Sequence, residues 1–206
     1  MVRKIVEQVS DDILRADLDR YIQRAIELGA TDAKVITSTD VVIDERVRAK
    51  CNYPMCSSYG TNVNCPPHAP SLDQVRRLVN AFRYGVFVKL DAPFEEQLDA
   101  WRDTNLRNHE IISRIEADAF YDGYYLAVGF GGRACKNVFC SDLECSALAT
   151  GQACRYPLKS RPTAHAMGMD LFKMATRLGW DMYPIGKSTL PSEVPCLTTL
   201  GIVLIY

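Results

Sequence analysis

Cys51, Cys56 and Cys65 fall within 15 residues, and Cys135, Cys140, Cys145 and Cys154 within 20; of eight cysteines only Cys196 stands apart. This spacing limits the fold more than any other feature. Side chains so crowded are either cross-linked or gathered around a ligand, and both outcomes call for irregular loops. The N-terminal stretch MVRKIVEQVSDDILRADLDR breaks its apolar residues with Glu7, Asp11 and Asp12, so a signal-peptide core is not expected. No stretch reaches the roughly 18 apolar residues that suggest a membrane span. A cytoplasmic chain keeps its thiols reduced, and clustered reduced thiols read as metal ligands.

A chain of 206 residues buries a core without covalent staples. Lys+Arg is 24 against Asp+Glu 25, which excludes a strongly basic nucleic-acid binder. The pattern predicts a helix over 11–28, with Leu14, Leu18, Tyr21 and Ile22 on one face, Ser10 as cap and Gly29 as stop. Short strands are expected within 33–49 around the Ser38-Thr39-Asp40 turn. Ser71 and Gln74 form a capping box for a second helix, ended by Gly85, and Val86–Leu90 reads as a buried strand. Residues 93–120 read as the longest helix, 124–130 as a strand, and 163–179 as a helix. The apolar LGIVLIY stretch, Leu200 to Tyr206, reads as a central strand. The expected architecture is one α/β domain over 1–206, a mixed sheet flanked by helices. It opens with an N-terminal helix in 1–30 and carries two irregular cysteine-rich loops, 51–70 and 132–162.

The first loop reads Cys51-x4-Cys56-x8-Cys65-Pro66-Pro67, and holds four prolines, a glycine and three asparagines between Cys51 and Pro70. The second reads Cys135-x4-Cys140-x4-Cys145-x8-Cys154. Thiolates select zinc, copper(I) or iron–sulfur clusters. Neither loop offers the two matched pairs of a zinc knuckle. A cubane is larger than one zinc ion and needs a wider wrapping, and the Cys-Pro step at 65–66 fits iron–sulfur loops. One or two [4Fe–4S] clusters are therefore expected, with zinc as the alternative. Four cysteines complete the second site. The first has three, and its fourth ligand is Cys196, His68, a shared thiolate from the second loop, or none. Arg133, Lys136, Arg155, Lys159 and Arg161 would offset the negative charge of the thiolates or offer a patch to an acidic redox partner.

At these residues the chain resembles a known family. Arg46-Val47-Arg48-Ala49-Lys50-Cys51, Pro54-x-Cys56-x2-Tyr59-Gly60 and Cys65-Pro66-Pro67-x2-Pro70-Ser71-Leu72 are similar to its first signature. Gly132-x2-Cys135, Cys154-Arg155-x-Pro157-x3-Arg161-Pro162 and Ala166-x-Gly168-x-Asp170 are similar to its second. This is the family of predicted metal-binding proteins classed as domain of unknown function 2284, found mainly in anaerobic bacteria and archaea. The resemblance spans roughly residues 30 to 206. It implies a cytoplasmic protein with bound metal, in iron–sulfur form. The gaps of four, four and eight in the second loop are wider than the family's usual spacing, and Cys196 lies outside its pattern.

Three further features carry less. Gly186-Lys187-Ser188-Thr189 echoes a phosphate loop, but its required first glycine is Asp181. His109 is expected on an exposed helix face, and His165 at a helix start as a cap or solvent-facing residue, with a general-acid role the sharper alternative. Three functions fit the sequence. The first is electron transfer or a small reductase component, with ferredoxin or a reductase as redox partner, and neither nucleic acid nor membrane as target. The second is an enzyme whose three-cysteine cluster binds substrate at an open iron, in sulfur transfer or dehydration. The third is a zinc-stabilised binding module.

Overall fold

Alternation along two strands sets the layers. In β2 (Tyr84–Ala92), Val86, Val88 and Leu90 point to one face and Phe87 to the other; in β4 (Leu197–Leu204), Val203 opposes Leu200, Ile202 and Leu204. Each strand is thus apolar on both sides and must be covered twice. The computed structural model describes residues 2–94, 98–186 and 188–206. The expected helix over 93–120 and the Gly186-Lys187 motif each include residues outside that set.

The first face packs on α1 (Asp11–Glu27), through Leu14, Leu18, Tyr21 and Ala25, and on α4 (Leu98–Tyr121), through Ile111, Ile112, Ile115 and Ala119. The second packs on α3 (Leu72–Asn80), through Val75 and Val79, and on α7 (Leu171–Arg177), through Leu171, Met174 and Ala175. Cys65 and Ala134 join this second core, so both cysteine loops are anchored on the α3–α7 side.

The strand order is β1-β2-β4-β3, with β1 at Asp32–Thr37 and β3 at Val128–Phe130. Every pairing of these strands is antiparallel, where a mixed sheet is expected. The reason is an inserted strand. β2 and β3 run parallel, as a crossover through α4 requires, but β4 lies between them and pairs antiparallel with each. The one parallel pairing among the described residues is the single bridge Gly131–Thr163. The central position expected for the 200–206 strand holds, and the strand begins at Leu197.

The capping box forms as expected: Ser71 Oγ accepts from Gln74 N, and Gln74 Oε1 from Ser71 N at 2.8 Å. Other expectations are corrected. Val47 lies in a short helix, α2 (Glu45–Ala49), because Asp44 caps its first turn by accepting from Arg46 N at 2.8 Å. Gly85 sits inside β2 and not at the helix end; a Cβ there would stand 2.7 Å from the Val203 carbonyl. Residues 124–127 form a turn, Ala127 N donating to Tyr124 O, which shortens the strand to 128–130. The helix expected over 163–179 is interrupted. A 3-10 turn, Ala164–Met167, ends at Gly168 with φ 75°, and Asp170 then caps α7. Ser10 starts α1 without a side-chain cap bond, and Phe120 of α4 faces solvent.

Candidate metal centre

The first loop is shaped by its own turns. α2 ends into Cys51, whose N–H donates to Arg48 O; Cys56 N donates to Cys51 O, Tyr59 N to Cys56 O, and Gly60 N to Pro66 O at 2.8 Å, which closes the loop. Asn62, 1% exposed, holds the interior: its Nδ2 donates to Ser58 O and its Oδ1 accepts from Asn64 N at 3.0 Å. It also lies against the Cys65 thiol. Burial nonetheless pushes that thiol up to about 11, with the nearby Cys135, Cys51 and Cys56 adding to the rise and Asn62 opposing it. Burial, then Cys56, raise Cys51, against Arg48.

Arg48 faces these sulfurs. One terminal nitrogen donates to Pro70 O at 2.9 Å, while Nε is buried with no partner among the described residues. Burial lowers its pKa, opposed by Cys51 and Cys65. A buried guanidinium N–H without an acceptor costs about 1–3 kcal/mol or more. Thiolates on Cys51 and Cys65 would supply the missing counter-charge, so the residues present suit an anionic, metal-ligating state.

The second loop hangs from β3. Asn108 Oδ1 on α4 accepts from Gly132 N at 2.9 Å, and His109 Nε2 bonds Arg133 O at 2.8 Å. Glu116 Oε2 accepts from Gly129 N and from Arg161 Nε at 2.7 Å. α4 thus grips the backbone on both sides of Gly131 and fixes where Cys135 emerges. Cys135 opens α5 (Cys135–Phe139), Cys140 follows its end, and Cys145 precedes α6 (Ser146–Ala149). Cys135, Cys140, Cys145 and Cys154 line one cavity of about 300 Å³. Tyr156 N donates to Cys154 Sγ at 3.4 Å. Burial raises the Cys140 thiol, with Cys135, Cys154 and Cys145 adding and Arg155 opposing.

The two loops meet. Asn62, Val63 and Asn64 line the same cavity, and Asn64 Nδ2 donates to Cys135 Sγ at 3.4 Å. Cys135 is therefore felt by Cys65 on one side and by Cys140 on the other. Cys196 lies elsewhere, with its sulfur 3.7 Å from Thr198 Oγ1, and His68 is exposed. Of the flanking cations, Lys159 pairs with Glu110 and Arg161 with Glu116, Lys136 bonds the Cys140 and Ser141 carbonyls, and Arg155 bonds the Glu144 carbonyl. Arg155 is the one set against a sulfur's charge. Among the described residues, no three His, Cys, Asp or Glu side chains are gathered tightly enough to hold a single metal ion.

His109 corrects an expectation. It is fully buried, edge-on to Phe139 at 5.3 Å, and Phe139 stacks on Tyr156 at the cavity wall. Sequence reasoning also missed Asn62, Asn64 and Asn108. Only Asn108 carried a signal: it belongs to a polar run, Thr104, Asn105, Asn108, His109 and Ser113, on the helix face that is buried.

A family model described as Predicted metal-binding protein (DUF2284) matches residues 34–205. No curated protein and no solved structure matches the chain.

Proposed function

The chain belongs to the DUF2284 family of predicted metal-binding proteins, and on that premise we propose that it is an iron–sulfur protein of the cytoplasm acting in electron transfer or as a small reductase component. The observation that carries this reading is the cavity of about 300 Å³ lined by Cys135, Cys140, Cys145 and Cys154 and by no acidic side chain. Four soft donors with no oxygen or imidazole among them suit a [4Fe–4S] cluster. A bound cluster would supply one-electron transfer. The protein's own part is to wrap it, and to set its potential through N–H···S bonds from Asn64 and Tyr156 and the charge of Arg155. Raised thiol pKa values mean that loading displaces protons, so uptake is favoured by alkaline pH.

The first loop supports a second site. Cys51, Cys56 and Cys65 share one neighbourhood with Arg48, and Cys135 of the second loop adds its charge to that around Cys65. Neither Cys196 nor His68 is drawn into that group. The fourth position is then shared with Cys135 or open, and substrate bound at an open iron is the alternative reading. Iron, sulfide and zinc per chain, measured after anaerobic purification, test the proposal. The expected result is about four irons and four sulfides for each cluster, with a broad visible absorption that dithionite bleaches. A colourless protein with stoichiometric zinc would overturn it.

A further inference from the structure

Beside the metal loops, but opening elsewhere, lies a cavity of about 210 Å³ between β4, the start of α4, α7 and the Gly132-Arg133 step. Its walls divide by chemistry. Phe172, Met182, Leu171 and Trp101 make an apolar side; Asn105, Thr199, His165 and Arg133 make the polar one. No aspartate or glutamate lines it.

Three of the polar groups are poised rather than satisfied. The Arg133 guanidinium makes no ion pair or hydrogen bond among the described residues, although the neighbouring Lys159 and Arg161 are both paired. Burial lowers the pKa of His165, which keeps its ring neutral at neutral pH. A neutral ring offers one N–H donor. Asn105 is 4% exposed and spends one Nδ2 hydrogen on Trp101 O at 2.6 Å, which leaves the second as a donor. An unpaired cation in a cavity free of acids, beside a neutral imidazole and an aromatic wall, is a built recognition surface. The volume is below the roughly 300–1,000 Å³ of pockets for drug-sized ligands, which calls for a small molecule.

We propose that this cavity binds a small organic carboxylate, its carboxylate on Arg133, which stands two residues before Cys135 in the chain, and its apolar body against Phe172 and Met182. This goes beyond the metal-binding reading and does not depend on which metal is bound. Arg133 is exposed, so its replacement leaves the fold intact.

Benzoate and its neutral isostere benzamide are the probes, titrated calorimetrically into metal-loaded protein under anaerobic conditions. Benzoate should bind saturably with one site per chain. Arg133→Gln should weaken it by about tenfold or more, the worth of a charge-assisted hydrogen bond, and benzamide should bind as weakly to the unaltered protein. Metal content should be the same in both proteins, which separates this test from that of the metal centre. Trp101 lines the cavity, whereas Trp180 stacks on Phe87 and donates to Asp32. Benzoate should therefore change tryptophan fluorescence in the parent protein and not in Trp101→Phe. Absence of saturable binding, equal affinity in Arg133→Gln, equal binding of benzamide, or a fluorescence change that survives Trp101→Phe would each overturn the proposal.

Discussion

His109 joins the core to the metal loop in a single side chain. Its Nε2 holds the Arg133 carbonyl, its ring fills the space a Cβ on Gly131 would occupy, and Nδ1 is buried without a partner among the described residues. Burial, with the charge of Arg161, lowers its pKa, while the bond to Arg133 opposes the shift. The unfolded chain therefore binds a proton that the folded one refuses. Stability from this group is full above the unfolded histidine value of about 6.5 and is lost as pH falls below it. Chemical denaturation between about pH 7.5 and 5 should show that slope, and His109→Gln should flatten it, leaving only the share of His165. At neutral pH His109→Leu should cost about 1–3 kcal/mol, because the carbonyl loses its donor. A separate loss sets in further down. Burial raises Asp17, but bonds from Arg3, Tyr124 and Arg20 hold it at about 2, below the ordinary 3.8, so its stabilisation disappears as pH falls through that interval. The buried state of His109 was not legible in the sequence, since its i−4 and i+4 neighbours, Asn105 and Ser113, are polar as well. A helix face reads as solvent-exposed when its polar groups are in fact spent on another segment's backbone.

α4 lies close on the sheet because glycines remove the obstructing atoms. A Cβ on Gly201 would stand 2.7 Å from Ile112 Cγ1 and Cδ1, and one on Gly131 would stand 2.6–2.9 Å from the His109 ring. Gly201→Ala should overpack this interface and cost about 1–3 kcal/mol. Thermal unfolding should register about 2–4 °C for each of them at this chain size. Gly131→Ala should have the added effect of lowering metal content, because it displaces the grip on Arg133. Helices whose ends carried local signals, such as the Ser71–Gln74 box, were legible. The break at Gly168 was not, because Met167, Leu171, Met174 and Ala175 keep helical spacing across it while the backbone needs a positive φ between them. The row of buried β2 and β4 residues announced a doubly covered sheet. What it could not announce is direction, since apolar strands read the same in parallel and antiparallel pairing. In the loops, cysteine spacing marked the site, but the contact between Asn64 and Cys135 spans 71 positions and leaves no local trace.

Both cores are built from helices and strands, whereas the metal loops are built from turns. The first core holds α1, α4 and one sheet face with no cysteine, and the second touches the loops only through Cys65, Ala69 and Ala134. Stripping the metal with a chelator under anaerobic conditions should therefore leave far-ultraviolet dichroism nearly unchanged while opening 51–70 and 132–162 to protease. Loss of the dichroism signal along with the metal would show that the loops hold the fold. The sheet order has a consequence for biosynthesis. β4 is the last of the four strands to be made, yet it is the one that pairs with both β2 and β3. Until it emerges from the ribosome, the half of the molecule carrying Asn64 and the half carrying Cys135 have no common strand to align them. Assembly of the two cysteine loops into one site is thereby deferred until β4 has been made, and a nascent chain stalled before residue 197 lacks the strand that joins its two halves.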